Sequence, residues 1–484
     1  MIEKEISKSK LGVLLKALSK KEYNSFIKYL DSPLFNKKKE FHEAAKFLFK
    51  FHPSFENKDL SKELLKKHLN KSTKKLNNIN SLMNGLLRHG EEFLVHNHVS
   101  ESQGLKDLIL LSEFNNRSIK KGFENHVKSS DHRIEKISVQ SFDQILNSFL
   151  IEHEIDVAFS KDQSLPFDQA IISKTTQLDV FFFYCKLKTY CEIISRSQFL
   201  KVKYPTDNFE KTLEWLKNFP ELIKNPSIKI YFGLVQLLKN FENDEIYSKY
   251  IITLKEEYNN FNKDECINLF QTVSNHCIRR INNGSSHYLK ELFNIYEFQA
   301  EKDLLVKEGF LHDRTIKNII EVAIRAEKYQ WAENFLVQHI DFVDKDQKEM
   351  IYNYNFANIN FGMNNLKTAK KHLVFVNIKD PFYQLSYRIL LIKIYYSIND
   401  FEALSSTISN FKAFFNREKN ISEIQKAIFS NLLFFIHKLV LLKEKKNHLE
   451  TKKFSIKKEE LKAQINSENK IADRGWLLNE FEKV

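Results

Sequence analysis

An all-α chain is what this sequence predicts, and three observations carry the prediction. Only 10 of its 484 residues are glycine and 7 are proline, a glycine share of about 2% against about 7% in ordinary proteins. Antiparallel hairpins and phosphate-cradling loops need glycine at positive φ, so the shortage favours helices joined by short polar turns. Apolar residues recur at helical spacing almost throughout, and no convincing run alternates with period two. The chain is also 42% hydrophobic, with 42 phenylalanines, which supplies a core and argues against disorder.

Residues 1–100 read as a basic module of four helices. "LGVLLKALSKKEYNSFIKYL" stops before "DSPLFN", where Pro33 discourages continuation. "EFHEAAKFLFKF" ends near Pro53, and "LSKELLKKHL" follows. "TKKLNNINSLMNGLLRHGEEFL" then sets Leu76, Ile79, Leu82, Met83, Leu86 and Leu87 on one face, the mark of an amphipathic helix. Residues 101–165 form a helical connector that closes in "SKDQSLPFDQ". Over 170–312 helix follows helix, from "LDVFFFYCKLKTYCEII" to "YLKELFNIYEFQA", the last two parted by the turn "NNGSS". Residues 421–484 supply C-terminal capping helices. Their most apolar stretch, Ala427 to Leu442, carries Ser430, Asn431, His437 and Lys438. It falls short of the roughly 20 uninterrupted residues that a membrane span needs. It predicts a buried helix, with His437 in the core.

Helices that arrive in pairs raise the question of a repeat. Counting from Met350, Phe356 and Ala357 fall at the seventh and eighth positions, Leu366 at the seventeenth and Ala369 at the twentieth. Leu373 falls at the twenty-fourth and Pro381 at the thirty-second. This pattern resembles the tetratricopeptide family, whose repeat is about 34 residues long. Neighbouring units start at Asp313, with Tyr329, Ala332 and Leu336 in phase, and near Leu385, with Phe401 and Leu404 in phase. The resemblance covers residues 313–420. It implies a right-handed α-solenoid of antiparallel helix pairs, small residues where the two helices of a unit approach, and a proline that stops the second helix. A fainter similarity, carried by "SPLFN" and "ADRGWLL", is to an uncharacterised family of bacterial helical proteins, and it implies no function.

The net charge of +13 is unevenly spread. Residues 1–80 hold 19 Lys and no Arg against 9 Asp and Glu, and residues 443–462 hold 8 Lys against 4 Glu. The remainder is close to neutral, so an anionic partner is to be sought at the terminal regions. The opening residues carry no apolar signal region. The four cysteines, Cys185, Cys191, Cys266 and Cys277, fit no zinc spacing and are expected to be reduced thiols. Both features lead us to expect a cytoplasmic protein.

No Walker loop, dinucleotide fingerprint or H-E-x-x-H motif occurs, and nothing pairs a nucleophile with a base. His96 and His98 are two residues apart and diverge on a helix, so they are expected on a solvated surface rather than as metal ligands. "IEHEID", Glu152 to Asp156, is expected to be a charged helix end. We therefore expect a non-enzyme with no cofactor and no metal.

Two functional readings remain. The first is a protein-interaction scaffold that binds an extended, acidic peptide or partner protein. The tetratricopeptide resemblance implies that the first helix of each unit lines a groove. Its positions fall on Arg314, Lys317, Glu321, Ile324 and Arg325, then Ile351, Tyr354, Asn358, Phe361 and Gly362, then Ser386, Ile389, Lys393, Tyr396 and Ser397. Cations beside aromatics and amides suit carboxylates and a peptide backbone. The alternative is nucleic-acid binding through a helix-turn-helix-like stretch at 61–87. There Ser61 to Leu69 would support, Asn70 to Ser72 would turn, and Thr73 to Leu87 would read, with Lys74, Lys75, Asn77 and Asn78 in contact.

Overall fold

The computed structural model describes residues 6–55, 60–72, 78–134, 141–161, 169–200, 202–373, 381–418, 421–445, 451–468 and 470–484. Among them the regular structure is helical, and the single β-bridge, between Lys307 and Phe310, belongs to no strand. The chain divides into two compact units, Met1–Val235 and Gln236–Val484.

The first unit opens with α1 (Lys10–Ala17), α2 (Lys20–Asp31), α3 (Lys39–Phe49), α4 (Lys62–Ser72) and α5 (Ile79–Glu101). Helix α2 starts where the sequence offers a reciprocal cap. The Ser19 hydroxyl accepts from the Glu22 amide, and the Ser19 amide donates to the Glu22 carboxylate at 2.7 Å. Those bonds hold the Glu22 carboxyl below its ordinary range and satisfy two orphan amides of the first turn. Helix α5 packs on α1, α2 and α3. Tyr23, Phe26, Leu48, Leu65, Leu86 and Phe93 meet in the core of these helices, with the Tyr23 hydroxyl donating to the Ala45 carbonyl at 3.2 Å.

The unit continues with α6 (Gln103–Asn116), α7 (Lys120–Ile134), α8 (Phe142–Ser160) and the long α9 (Gln169–Leu200), then α10 (Asp207–Leu216), α11 (Pro220–Ile223) and the first part of α12 (Pro226–Lys239). Leu111, Phe123, Ile151 and Ile155 form a second apolar cluster. The "IEHEID" stretch lies inside α8 rather than at a helix end. Its acids are engaged there, Glu154 by the Asn115 amide and Asp156 by Lys174.

In the second unit come α13 (Asp244–Glu257), α14 (Lys263–Asn282), α15 (Tyr288–Glu301), α16 (Asp313–Arg325), α17 (Tyr329–His339) and α18 (Lys348–Gly362). After these follow α19 (Leu366–Leu373), α20 (Pro381–Ser397), α21 (Phe401–Arg417), α22 (Glu423–Lys445), α23 (Thr451–Ser467) and α24 (Arg474–Lys483). Each helix from α14 to α21 packs on the next, and α16 also meets α18, as α18 meets α20. Pro381 opens α20, where a missing amide costs nothing and its fixed φ suits the first turn. The expected stop of the preceding helix falls on residues 374–380, outside the described residues.

Helix α22 is, among the described residues, the one long and apolar enough to cross a membrane. Leu432, Leu433, Phe435, Ile436 and Leu439 on it are seated in the core shared with α20, α21, α23 and α24. His437 is not a core histidine: it lies on the exposed side of that helix. All four cysteines are free thiols, three of them buried and Cys185 half-buried.

Candidate functional site

The turns between paired helices place the site. Between α16 and α17, Glu327 sits at φ +59; between α18 and α19, Asn364 sits at +62; between α20 and α21, Asn399 sits at +58. Each lies two residues before the residue that opens the next helix: Tyr329, Leu366 or Phe401. The hydrogen bonds repeat as well. Lys328 N donates to Ala323 O at 2.8 Å, Asn365 N to Asn360 O at 2.8 Å and Asp400 N to Tyr395 O at 3.0 Å. This is the six-to-one bond of a Schellman turn, which satisfies the carbonyls left at a helix end. The same turn therefore closes α16, α18 and α20 in the same register.

The small residues then fall where pairs approach. Ala357 on α18 and Ala369 on α19 are both fully buried in one cluster with Tyr354, Leu373 and Tyr383. Ala332, at the position equivalent to Ala369, is also fully buried.

Beside these helices is a cavity of about 1000 Å³. Four of the five groove positions in each unit line it. Lys317, Glu321, Ile324 and Arg325 come from α16, and Tyr354, Asn358, Phe361 and Gly362 from α18. Ser386, Ile389, Lys393 and Ser397 come from α20. Gly362 marks a close approach, since a Cβ there would lie 2.7 Å from the Tyr329 ring and 2.9 Å from Ile324. The exceptions have physical causes. Ile351 and Tyr396 point inward and are almost wholly buried. Arg314, on the first turn of α16, is exposed away from the cavity lining and already engages a neighbour.

The opposite wall was not anticipated. It is α24 and the residues leading into it: Ala472, Asp473, Arg474, Gly475, Trp476, Asn479, Glu480 and Lys483. The signal was present in "ADRGWLL", a rare grouping of Asp, Arg and Trp, but nothing in its spacing ties it to residues some eighty positions earlier.

Charge pairing on the lining is nearly complete. Lys317 pairs with Glu321 at 3.1 Å, Lys393 with Asp473 at 2.7 Å and Lys483 with Glu480 at 2.6 Å. Two arginines are left over. Arg325 is exposed and, among the described residues, has no ion-pair partner. The Nη2 of Arg474 is buried with no hydrogen-bond partner among the described residues. Burial pushes the Tyr354 phenol well above its ordinary range, with the Glu321 charge adding to the effect, so it stays neutral. A cavity with two guanidinium groups, the amides of Asn358 and Asn479, and the rings of Phe361 and Trp476 can hold carboxylates and an amide backbone. It contains no nucleophile paired with a base.

The basic N-terminal stretch departs from its expected form. Asn70 to Ser72 do not turn but complete α4, and α5 begins at Ile79 rather than Thr73. Lys74, Lys75 and Asn77 lie outside the described residues. Asn78 is the N-cap of α5; its carbonyl oxygen accepts from the amides of Asn80 and Ser81 at 2.9 and 3.2 Å. The cap uses its Oδ1 acceptor. His96 and His98 are exposed, and the His96 ring packs against Phe35 at 5.1 Å. Among the described residues no group of three or more His, Cys, Asp or Glu is placed to hold a metal ion.

Compared with family models, curated proteins and solved structures, the chain matches none.

Proposed function

We propose that the second unit is a non-catalytic binding scaffold, a right-handed α-solenoid of antiparallel helix pairs of tetratricopeptide type. It takes an extended acidic segment of a partner protein in the cavity beside α16, α18 and α20. One observation carries the proposal: residues chosen by repeat register alone, four in each of three units, line a single cavity. The succession of contacts α16 to α18 to α20, with a second helix behind each, supports a solenoid. Arg325, with no ion-pair partner among the described residues, and Arg474, whose buried Nη2 has no hydrogen-bond partner among them, favour carboxylates.

The experiment is fluorescence anisotropy with labelled Asp/Glu-rich and Lys/Arg-rich peptides of equal length. Wild-type protein is expected to bind the acidic peptide alone, and Arg325→Glu to weaken it about tenfold or more with unchanged helicity. Equal binding of both peptides, or wild-type affinity in Arg325→Glu, would remove the basis for the proposal.

A further inference from the structure

The first unit holds a cavity of about 420 Å³ whose lining is unlike that of the second. Lys8 and the N-cap Ser9 precede α1, Lys10 and Leu11 open it, Lys62 opens α4, and Met83, Asn84 and Leu87 come from α5. Three lysines therefore line one concavity together with Leu11, Met83 and Leu87, and among the described residues no carboxylate is on the lining. Several lysines elsewhere sit beside acids, as Lys263 does with Asp303 at 2.6 Å and Lys462 with Glu482 at 2.9 Å. Charges of one sign converging in a cleft raise the local concentration of counter-ions, because low-dielectric walls focus their field.

We propose that this cavity is a binding site for the phosphate group of a small phosphorylated molecule. Lys62 is held in place by donating to Asn80 Oδ1 at 2.7 Å, a neutral partner, and among the described residues no acid pairs with it. Lys10 is exposed at the rim. Lys8 already engages a neighbour, so Lys10 and Lys62 are the residues on which binding rests. The Ser9 hydroxyl donates to the Ile6 carbonyl at 2.6 Å and accepts from the Gly12 amide at 3.1 Å, which fixes the loop that carries both flanking lysines. Planar carboxylates are best read by the arginine fork, and no arginine occurs before Arg88. Lysine is a compact point charge suited to phosphate. The cavity has the volume of a small-ligand site rather than of a groove that tracks a polynucleotide.

The test is isothermal titration calorimetry of the full chain with sodium pyrophosphate at low salt. The pair Lys10→Glu and Lys62→Glu is expected to weaken binding about tenfold or more. The exposed pair Lys46→Glu and Lys50→Glu, which changes net charge equally, should leave it within about twofold. Circular dichroism checks that both fold, and Lys10→Ala with Lys62→Ala replaces the first pair if it does not. No heat with the wild type, or equal losses in the pocket and control pairs, would overturn the proposal. So would binding of a duplex oligonucleotide without binding of pyrophosphate, which would mark a nucleic-acid surface instead.

Discussion

The ammonium of Lys393 on α20 lies 2.7 Å from the carboxylate of Asp473, and it lies over the ring of Trp476 at 5.4 Å. Asp473 sits at the N-cap of α24 with φ +46 and ψ 37, and its side chain caps nothing. A left-handed residue other than glycine is uncommon, though Asp tolerates it better than most. The residue gives up the usual capping bond and presents its charge to the cavity. Trp476 then meets Tyr396 edge to face at 5.6 Å, so charge and aromatic contact together fasten α24 to the wall formed by α20.

Asp473→Asn should therefore destabilise the second unit, by under about 1 kcal/mol. Asn keeps the tolerance for this backbone and loses only the ion pair, which is partly solvated on the Asp side and so weakened by water. A double-mutant cycle with Lys393→Met should return a coupling of about 0.5 kcal/mol or more. Additive losses in urea unfolding would show that the pair is not coupled.

Ala369→Leu should cost roughly 1–3 kcal/mol, because the site is fully buried against α18 and three added carbons force the helices apart. Ala357→Leu, in the same cluster, should act similarly and less than additively with it, since one displacement of the helices relieves both. Thermal unfolding of the two single variants and the double would separate this from two independent sites of overpacking.

Most of the fold was legible because it rests on local signals. Helical spacing and scarce glycine point to helices, and phase alone places Ala357, Ala369 and the lining of α16, α18 and α20. That Pro381 also opens α20 was not legible, because one residue can end a helix or begin the next, and spacing does not say which. The capping role of Asn78 was missed for a similar reason: an amide ahead of a helix can cap it, and spacing alone does not show that. The wall from α24 was illegible because its contacts join residues far apart in sequence, and no local pattern encodes such a pairing.

Glu327→Gly should stabilise the second unit by up to about 1 kcal/mol. Glu327 holds the left-handed position of its turn at φ +59, where a Cβ is strained and glycine is not. The equivalent Asn364 and Asn399 tolerate that backbone better, so the same change there should gain less. Urea midpoints for the three variants, ranked with Glu327→Gly highest, would bear this out; equal or negative shifts would count against it.

The last prediction concerns His276 on α14, which is buried with neither ring nitrogen hydrogen-bonded among the described residues. Its ring stacks on Tyr247 at 5.7 Å and meets Phe241 at 5.0 Å and Tyr288 at 5.9 Å. Desolvation lowers its pKa to about 4 from an ordinary 6.5; Arg280 and Arg279 push the same way and Asp244 opposes them. Between those two values the unfolded chain binds a proton that the folded chain refuses. Stability from this residue is thus complete above about pH 6.5 and is lost as the pH falls toward 4. The loss across that window amounts to roughly 3 kcal/mol, since a tenfold change in proton affinity is worth about 1.4 kcal/mol. His276→Phe keeps a ring among Phe241, Tyr247 and Tyr288 and removes the titration. In a Trp215→Phe background the remaining tryptophans, Trp331 and Trp476, report on the second unit alone. Fluorescence-monitored urea unfolding should then show a shallower fall in midpoint between pH 6.5 and 4 for His276→Phe than for its parent. Parallel curves would mean that the histidine is solvated and that its surroundings do not resist its charge.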